Sequence, residues 1–325
     1  MSARYVQPLR LLIQFLFLGF MLWLGIRLFQ FVNYIRSGGV FNFVPRPDGV
    51  EGFLPISGLL GLSAWVKGLG INAVHPAAVV IFVSVLAISI LLRRSFCSWV
   101  CPVATLSEYA WKSGYKLFRS NPRLPRWLDI GLRGAKYLLM AFFLYSIAFA
   151  MSPEATELFI RSDYHKMADV RLMDFFLHLS PFALGMILSL LVASFLLRNP
   201  FCRYLCPYGA LLGVVAFFSP LRVTRDSDRC VSCGVCSQVC PASIDVMRTQ
   251  SVSSPECIGC WRCISHCRFN EALTMRAVGR FAVPGILFAV LVVLLFWGGT
   301  LAGKWSGHWR TSVTVEEYSR LLGNR

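Results

Sequence analysis

Eight cysteines between residues 230 and 267 are the side chains of this sequence best suited to metal chemistry. They are spaced C-x2-C-x2-C-x3-C twice, in the segments RCVSCGVCSQVCP and PECIGCWRCISHCR. Thiolates at such short spacing bind soft metals and metal–sulfur clusters. Three thiolates of each run can converge within one tight loop, whereas the fourth lies too far along the chain to join them. We therefore expect the fourth cysteine of each run to serve the site of the other run.

This spacing is typical of bacterial ferredoxins that hold two [4Fe–4S] clusters. It predicts two ligand sets that exchange their fourth members, namely Cys230, Cys233, Cys236 and Cys267 for the first cluster, and Cys257, Cys260, Cys263 and Cys240 for the second. Gly234 and Gly259 leave space for backbone N–H groups to approach the sulfides. Two zinc sites are the alternative, but zinc has no need of the doubled three-plus-one spacing.

The other four cysteines form two C-x3-C-P motifs, Cys97 with Cys101 and Cys202 with Cys206. Their surroundings, LLRRSFCSWVCPVATL and LLRNPFCRYLCPYGALL, match at an offset of 105 residues and indicate an internal repeat. Both motifs end apolar spans that run in the same direction, which predicts a parallel repeat and brings the two pairs together. If each pair lies on a helix, its two cysteines share one face. Three interpretations remain open: a third metal centre holding a cluster or copper, a redox-active dithiol pair, or a structural role for Cys-Pro at a helix end.

The composition indicates a membrane protein, because 325 residues with 56% hydrophobic content and a mean hydropathy of +0.60 are too apolar for a soluble chain. We predict an all-α polytopic membrane protein with an inserted small α+β ferredoxin module. About five membrane helices are expected, at residues 9–32, 73–92, 130–151, 175–197 and 281–301. The predicted divisions are a membrane domain at 1–218, the ferredoxin module at 219–280, the fifth span at 281–301 and a tail at 302–325.

The net charge of +16 is concentrated beside the apolar spans, so membrane topology and anionic lipid explain it better than nucleic acid does. Segments on the ferredoxin side hold twenty-one Lys and Arg residues, against ten on the opposite side. The positive-inside rule then predicts a bacterial inner-membrane protein whose N-terminus and ferredoxin module are cytoplasmic and whose C-terminal tail is external. Reduced thiols and clusters agree with that side.

A quinone site is predicted on the external side. Residues 53–66 are apolar but too short to span, and are suited to lying in the interface as a lid. The candidate quinone residues are Arg27, Glu51, His75 and His178, with a carboxylate to accept protons from quinol. Three alternatives stay open. Arg27 can instead snorkel to the interface, and the acidic and basic loop residues around Glu51 can be solvated charges. The histidines can be interfacial or can ligate haem. Covalent c-type haem is excluded because no C-x-x-C-H occurs.

Two FC-x3-CP motifs after apolar spans, followed by two ferredoxin runs, resemble the NapH/NosR/CcoG class of membrane-bound polyferredoxins. The resemblance covers about residues 73–280. It is closest to the compact NapH-like form, since neither the flavin domain of NosR-type proteins nor the C-terminal domain of CcoG-type proteins is expected here. What it implies is an iron–sulfur subunit that exchanges electrons with membrane donors and redox enzymes.

The predicted function is a non-catalytic relay of electrons between the quinone pool, or a cytoplasmic donor, and a partner redox enzyme such as a cytochrome. No acid–base pair, activated nucleophile or phosphate-binding loop is evident in the sequence. A copper reductase or assembly factor of the CcoG kind is one alternative, and it would use the four C-x3-C-P cysteines. A redox-sensing scaffold is the other.

Overall fold

A computed structural model describes residues 5–119, 121–122, 124–269, 271–278 and 280–323. The chain divides into two compact units. The first, here called the cysteine unit, comprises Met1–Leu18, Leu86–Met140 and Gly185–Leu295 and contains all twelve cysteines. The second unit comprises Gly19–Val85, Ala141–Leu184 and Phe296–Arg325.

The described residues are mostly helical. The α-helices are α1 Val6–Arg36, α2 Pro55–Val66, α3 Pro76–Leu92, α4 Ser95–Trp99, α5 Pro102–Phe118, α6 Arg126–Leu144, α7 Pro153–Arg161, α8 Asp163–Lys166, α9 Ala168–Leu177, α10 Pro181–Leu196, α11 Pro207–Val215, α12 Val235–Gln238, α13 Arg262–Ser265, α14 Gly285–Trp305 and α15 Val315–Gly323. Short 3₁₀-helices occupy Val50–Phe53 and Ala216–Phe218, and π-helical turns occupy Tyr145–Ala150 and Phe201–Leu205.

Within the described part of the chain, three helices are long and apolar enough to cross a membrane. They are α1, α6 together with its π-helical continuation to Ala150, and α14. Helices α9 and α10 meet the same test together but are bent by 80° at the break between them. Three described helices therefore meet this test of length and composition, or four if the bent pair is one span. The five membrane helices expected from the sequence stay a prediction.

Two predicted spans differ from the helices observed, for local reasons. Residues 73–92 yield only the 17-residue α3, because the Asn72 side chain accepts hydrogen bonds from the backbone N–H groups of Val74 and His75 and delays the start of the helix. The helix stops before Arg93, which has a left-handed φ of 60°. The predicted span at 175–197 is divided before Pro181, since proline disfavours helical backbone in the preceding residue.

The ferredoxin module is built on a small antiparallel sheet that brackets the cysteine runs. Its strands are β1 Leu221–Arg225, β2 Leu273–Ala277 and β3 Phe281–Ala282, in the order β1-β2-β3. Leu221 lies opposite Ala277, and Arg225 lies opposite Leu273. Because β1 precedes the first run and β2 follows the second, the sheet closes both cysteine loops into one module.

Helix packing in the cysteine unit includes one very close approach. A Cβ atom built at Gly114 of α5 would overlap the backbone carbonyl of Phe195 in α10. Only glycine lets two helices come this near, so the position fixes the contact between α5 and α10.

The second unit has its own apolar core, in which Phe31 and Val32 of α1, Val170 of α9 and Tyr318 of α15 are all at most 1% exposed. The rings of Phe31 and Tyr318 meet edge to face, 5.4 Å apart. Helix α2, which the sequence predicted to be too short to span, packs against α3 through Gly58.

Candidate functional site

Two cavities in the cysteine unit are each lined by four cysteines. The first is lined by Cys230, Cys233, Cys236 and Cys267, and the second by Cys240, Cys257, Cys260 and Cys263. Cys236 and Cys240 are only four residues apart, yet they line different cavities. The fourth cysteine of each run thus lines the cavity of the other run, and the two ligand sets stay a prediction.

The two cysteine runs share one backbone pattern. Each has left-handed residues at the same two positions, Ser232 and Gly234 in the first run and Gly259 and Trp261 in the second, with φ between 55° and 75°. The third cysteine of each run then lies in a one-turn helix, α12 or α13. The first three cysteines of each run line one cavity, and the fourth cysteine of the other run completes the set. Four soft donors around one cavity fit an iron–sulfur cluster.

The two cavities differ in their exposure to solvent. Cys233 of the first cavity is exposed, whereas Cys240 and Cys260 of the second are buried. Burial, with a smaller effect of the Cys260 thiol, raises the pKa of Cys240 to about 12. A metal centre is what would stabilise the thiolate form in such a place. The first cavity therefore has one cysteine at the surface, where a redox partner can approach, and the second cavity has none.

The second cysteine loop is held by the first C-x3-C-P segment. The indole Nε1 of Trp99 donates to the Gly259 carbonyl at 3.1 Å, and the Ser98 hydroxyl donates to the Ile258 carbonyl at 2.6 Å. The Gln7 amide of α1 donates to the Cys260 carbonyl at 3.0 Å. These contacts fix the backbone beside the second cavity from the side of the helices.

A buried ionic group, here called the Glu256 cluster, lies next to the second cavity. Glu256 precedes Cys257, and its carboxylate accepts from Lys136 at 2.7 Å, from Arg94 at 3.3 Å and from the Tyr137 hydroxyl at 3.0 Å. Burial opposes ionisation of Glu256, but Arg94 and Lys136 outweigh it and hold the pKa of this carboxyl below its ordinary value. Arg94 also interacts with the Cys97 thiol. The cluster thus connects the second cysteine run to a C-x3-C-P cysteine.

A second buried ion pair contacts the same loop through Arg262. Arg10 of α1 donates to both carboxylate oxygens of Glu108, at 2.8 Å and 2.6 Å, and Lys112 and Arg262 complete the group. Burial alone would raise the pKa of Glu108, but the contacts with Arg10 and Lys112 lower it well below its usual range. Since Arg262 precedes Cys263, this pair also anchors the second run.

The C-x3-C-P cysteines do not lie in pairs along one helix. Cys97 is in α4 and Cys202 in a π-helical turn, whereas Cys101 and Cys206 are the N-caps of α5 and α11. The proline after each motif occupies the first position of the new helix, where its missing N–H costs nothing. Each motif therefore marks the start of a helix. Its two cysteines do not share one face of a single helix, as the sequence had suggested.

The four thiols nevertheless influence one another. Burial raises the pKa of Cys101 to about 12, with smaller contributions from the neighbouring thiols of Cys97 and Cys206. Burial and the Cys101, Cys206 and Cys97 thiols raise the pKa of Cys202 as well. The thiols of the two motifs thus lie close to one another in the cysteine unit.

Among the residues that the structure describes, no three His, Cys, Asp or Glu side chains are placed to hold a single metal ion. The same holds for the eight ferredoxin cysteines, which surround two cavities in groups of four. The result therefore gives no reason to assign a metal to one set of cysteines and not to the other.

The predicted quinone residues are only partly brought together. In the second unit, Glu51 is 1% exposed and its carboxylate lies 3.6 Å from Nδ1 of the fully buried His75. Arg27 is half-buried on α1 and His178 is exposed after α9, and no contact joins either of them to Glu51 within the described residues. Glu51 and His75 thus form the observed pair.

Other polar residues complete this buried group, here called the Glu51 cluster. Arg46 donates to Asp169 at 2.8 Å and to Glu51 at 3.1 Å. His75 Nε2 donates to the His165 carbonyl at 2.7 Å, and the Asn72 amide lies 3.2 Å from His165 Nε2. Arg46 and Glu51 are consequently not solvated loop charges.

Several of these residues were not identified from the sequence. Arg94 and Lys136 counted only toward the bias of Lys and Arg residues, and no motif marks Glu256 or His165. The only available signal was charge close to an apolar span, which is costly unless paired.

Comparison with known proteins agrees with this arrangement. A family model described as "4Fe-4S binding domain" matches residues 74–125 and 179–224, the two C-x3-C-P segments, and a "4Fe-4S dicluster domain" matches residues 222–268. The electron transport protein YccM of Escherichia coli is 40% identical over 315 residues, which cover 95% of this chain and 88% of YccM.

More distant relatives include the ferredoxin-type protein NapH of Escherichia coli, 27% identical over 80% of this chain and 85% of NapH. The methylamine utilization ferredoxin-type protein MauN of Paracoccus denitrificans is 33% identical over 46% of this chain and 48% of MauN. No solved structure matches the chain. The coverage and identity shared with YccM, together with the iron–sulfur domains, show that the chain belongs to the family of ferredoxin-type membrane electron-transport proteins that includes YccM and NapH.

Proposed function

We propose that this protein is the iron–sulfur relay subunit of a membrane redox complex, passing electrons between the quinone pool or a cytoplasmic donor and a partner oxidoreductase. The observation that carries the proposal is the grouping of eight cysteines around two separate cavities. Two [4Fe–4S] clusters held there would supply one-electron oxidation and reduction with little rearrangement. The exposed Cys233 offers a partner access, and hydrogen bonds from Ser98 and Trp99 fix the second cysteine loop.

The ligand sets can be tested with two cysteines that are close in sequence. Anaerobically purified protein should contain about eight iron and eight sulfide per chain from two cubes, and should show two EPR signals on reduction. Cys236→Ser and Cys240→Ser should each remove a different signal, while Cys240→Ser and Cys257→Ser should weaken the same one. Loss of the same signal in the Cys236 and Cys240 variants would contradict the crossed assignment.

The C-x3-C-P cysteines are proposed to hold a third, cluster-sized centre. The support is the mutual influence of four half-buried thiols, together with the contact from Arg94 to Cys97. The same matched "4Fe-4S binding domain" covers both motifs, which supports the parallel repeat. Iron above eight per chain, lost in a Cys97→Ser/Cys202→Ser double variant without change in the two ferredoxin signals, is the expected result. Unchanged iron content in this variant would remove the third centre from the proposal.

The Glu51 cluster is proposed as the place where protons leave a bound quinol. His75 Nε2 must carry a hydrogen because its partner is a carbonyl oxygen, so a neutral His75 presents its Nδ1 lone pair to the Glu51 carboxylate. One additional proton on either group would remove this repulsion, which makes the pair a proton acceptor.

Glu51→Gln should slow the reduction of the iron–sulfur centres by a short-chain quinol, measured by stopped-flow absorbance, at unchanged iron content. Glu157→Gln, in an exposed ion pair of the same unit, is the matched control. Equal rates in the Glu51 variant and the unaltered protein would place the quinol site elsewhere and leave the ferredoxin assignment intact.

A further inference from the structure

The cysteine unit contains a second kind of cavity, about 630 Å³ in volume, whose charged lining is mostly arginine. Here it is called the basic cavity. Its arginines are Arg126, Arg133, Arg198, Arg203 and Arg248. Asp129 and Asp245 are the acidic residues that line it, so five positive charges against two negative ones leave an excess of three. A cavity with such an excess favours an anionic occupant.

The charges inside the basic cavity are held in place from several directions. Arg203 donates to Asp129 at 2.7 Å and to the Ser243 hydroxyl at 2.8 Å, and Arg133 also pairs with Asp129. One carboxylate is therefore shared by two guanidinium groups and offsets only one of their two positive charges. The remaining charge favours a ligand with several oxygen acceptors.

The position of the basic cavity relates it to the membrane. One wall is the start of the membrane-length segment Arg126–Ala150, and another lies just beyond the end of α10 at Leu197. The third wall is the loop of the ferredoxin module that connects Cys240 to Cys257. The cavity thus lies where apolar helices end and the module begins, which is the depth of lipid headgroups.

The lining is also partly apolar on the helix side. Leu124, Ile130 and Leu197 line the cavity, and Ile130 is 57% exposed. Farther along α10, Val192 and Leu196 are exposed as well. A freely soluble phosphate would gain nothing from these side chains, whereas acyl chains would bury them.

We propose that the basic cavity binds the phosphate headgroup of an anionic phospholipid, with the acyl chains along the exposed faces of α6 and α10. An excess of three positive charges suits a lipid with two phosphates, such as cardiolipin. The bound headgroup joins the ferredoxin module to the helix ends. The inference is independent of the direction of electron flow and of the quinone site.

The test uses full-length protein purified with its clusters, delipidated in mild detergent and titrated with cardiolipin, phosphatidylcholine or inorganic pyrophosphate. Native mass spectrometry measures bound lipid, and thermal unfolding measures stabilisation. Cardiolipin should bind and raise the unfolding temperature, phosphatidylcholine should not, and added salt should weaken the effect. Pyrophosphate that binds and stabilises as well as cardiolipin would overturn the lipid assignment in favour of a free-anion site.

The variant for this test is Arg126→Gln/Arg248→Gln, because both side chains are exposed and their loss leaves the buried contacts of Arg203 in place. Removing two charges should weaken cardiolipin binding about thirtyfold at low salt. Arg280→Gln changes an exposed arginine of the same unit that does not line the cavity, and it should bind as the unaltered protein does. Equal affinity in the double variant and the Arg280 variant would overturn the proposal, and unchanged iron content in both shows that the module is folded.

Discussion

At the scale of single residues, the cysteine unit depends on buried charges that neutralise one another. Glu256 faces two cations, Arg94 and Lys136, that are at most 2% exposed. Breaking a buried ion pair by removing one partner is costly, because the remaining charge has neither water nor a counter-ion.

Glu256→Gln should therefore destabilise the protein by about 3 kcal/mol, since two buried cations lose their shared anion. Unfolding in denaturant, followed by the visible absorbance of the clusters, measures the change. Glu271→Gln removes the exposed partner of Arg229 and should cost less than about 1 kcal/mol. Equal losses in the two variants would mean that the Glu256 cluster contributes no more than a surface pair.

His165 in the second unit gives a pH dependence with a definite sign. Burial, with a smaller contribution from the neighbouring His75 ring, lowers the pKa of His165 to about 4. A histidine whose folded-state pKa is depressed stabilises the protein above its unfolded pKa of about 6.5 and loses that contribution as pH falls towards 4. The loss amounts to about 3 kcal/mol over this interval.

His165→Gln should flatten the fall in thermal stability between pH 6.5 and pH 4, because glutamine does not titrate there and can still meet Asn72. His178→Gln changes an exposed histidine of the same unit and should keep the slope of the unaltered protein. A slope that His165→Gln does not alter would show that another group controls stability in this interval.

At the scale of elements, the contact between α5 and α10 depends on one missing side chain. Gly114→Ala should lower the unfolding temperature, with a cost of about 1–3 kcal/mol, because the added methyl overlaps the Phe195 carbonyl. Gly131 of α6 has nothing within 4 Å of its Cβ position, so Gly131→Ala should be neutral or stabilise by up to about 1 kcal/mol through helix propensity. The same sign for both substitutions would contradict the close packing of α5 on α10.

The same scale explains why two apolar stretches differ from the helices that the structure shows. Hydropathy measures the length of an apolar stretch, but it does not reveal the capping of α3 by Asn72 or the break before Pro181. In the C-x3-C-P motifs, by contrast, proline begins a new helix and places Cys101 and Cys206 at the N-caps of α5 and α11. Local backbone chemistry thus decided where apolar stretches become helices.

At the scale of the whole molecule, we predict the orientation from the Lys and Arg bias of twenty-one to ten. Alkaline phosphatase fused after Arg119 should be inactive, because that segment is expected to remain cytoplasmic. The same reporter fused after Gly323 should be active outside. Green fluorescent protein at the two positions should give the opposite pattern. Activity of phosphatase at Arg119 would contradict the cytoplasmic location of the ferredoxin module.

The sequence by itself determined the cofactor class, the family and the membrane character of this protein. Ligand spacing within a run is a local property, and apolar content sums over the chain, so neither requires knowledge of distant contacts. The resemblance to NapH-type polyferredoxins is confirmed by the relatives, and the ligand grouping stays a prediction that the two cavities support.

Only the tertiary structure decided which charges meet. Arg94 reaches Glu256 across 162 positions, and His75 reaches His165 across 90. The basic cavity likewise combines helix ends and a module loop that are far apart in the chain. The sequence does not show whether a charged side chain is solvated, paired or lining a cavity. The packing of the helices determines which of these applies, because burial makes an unpaired charge costly.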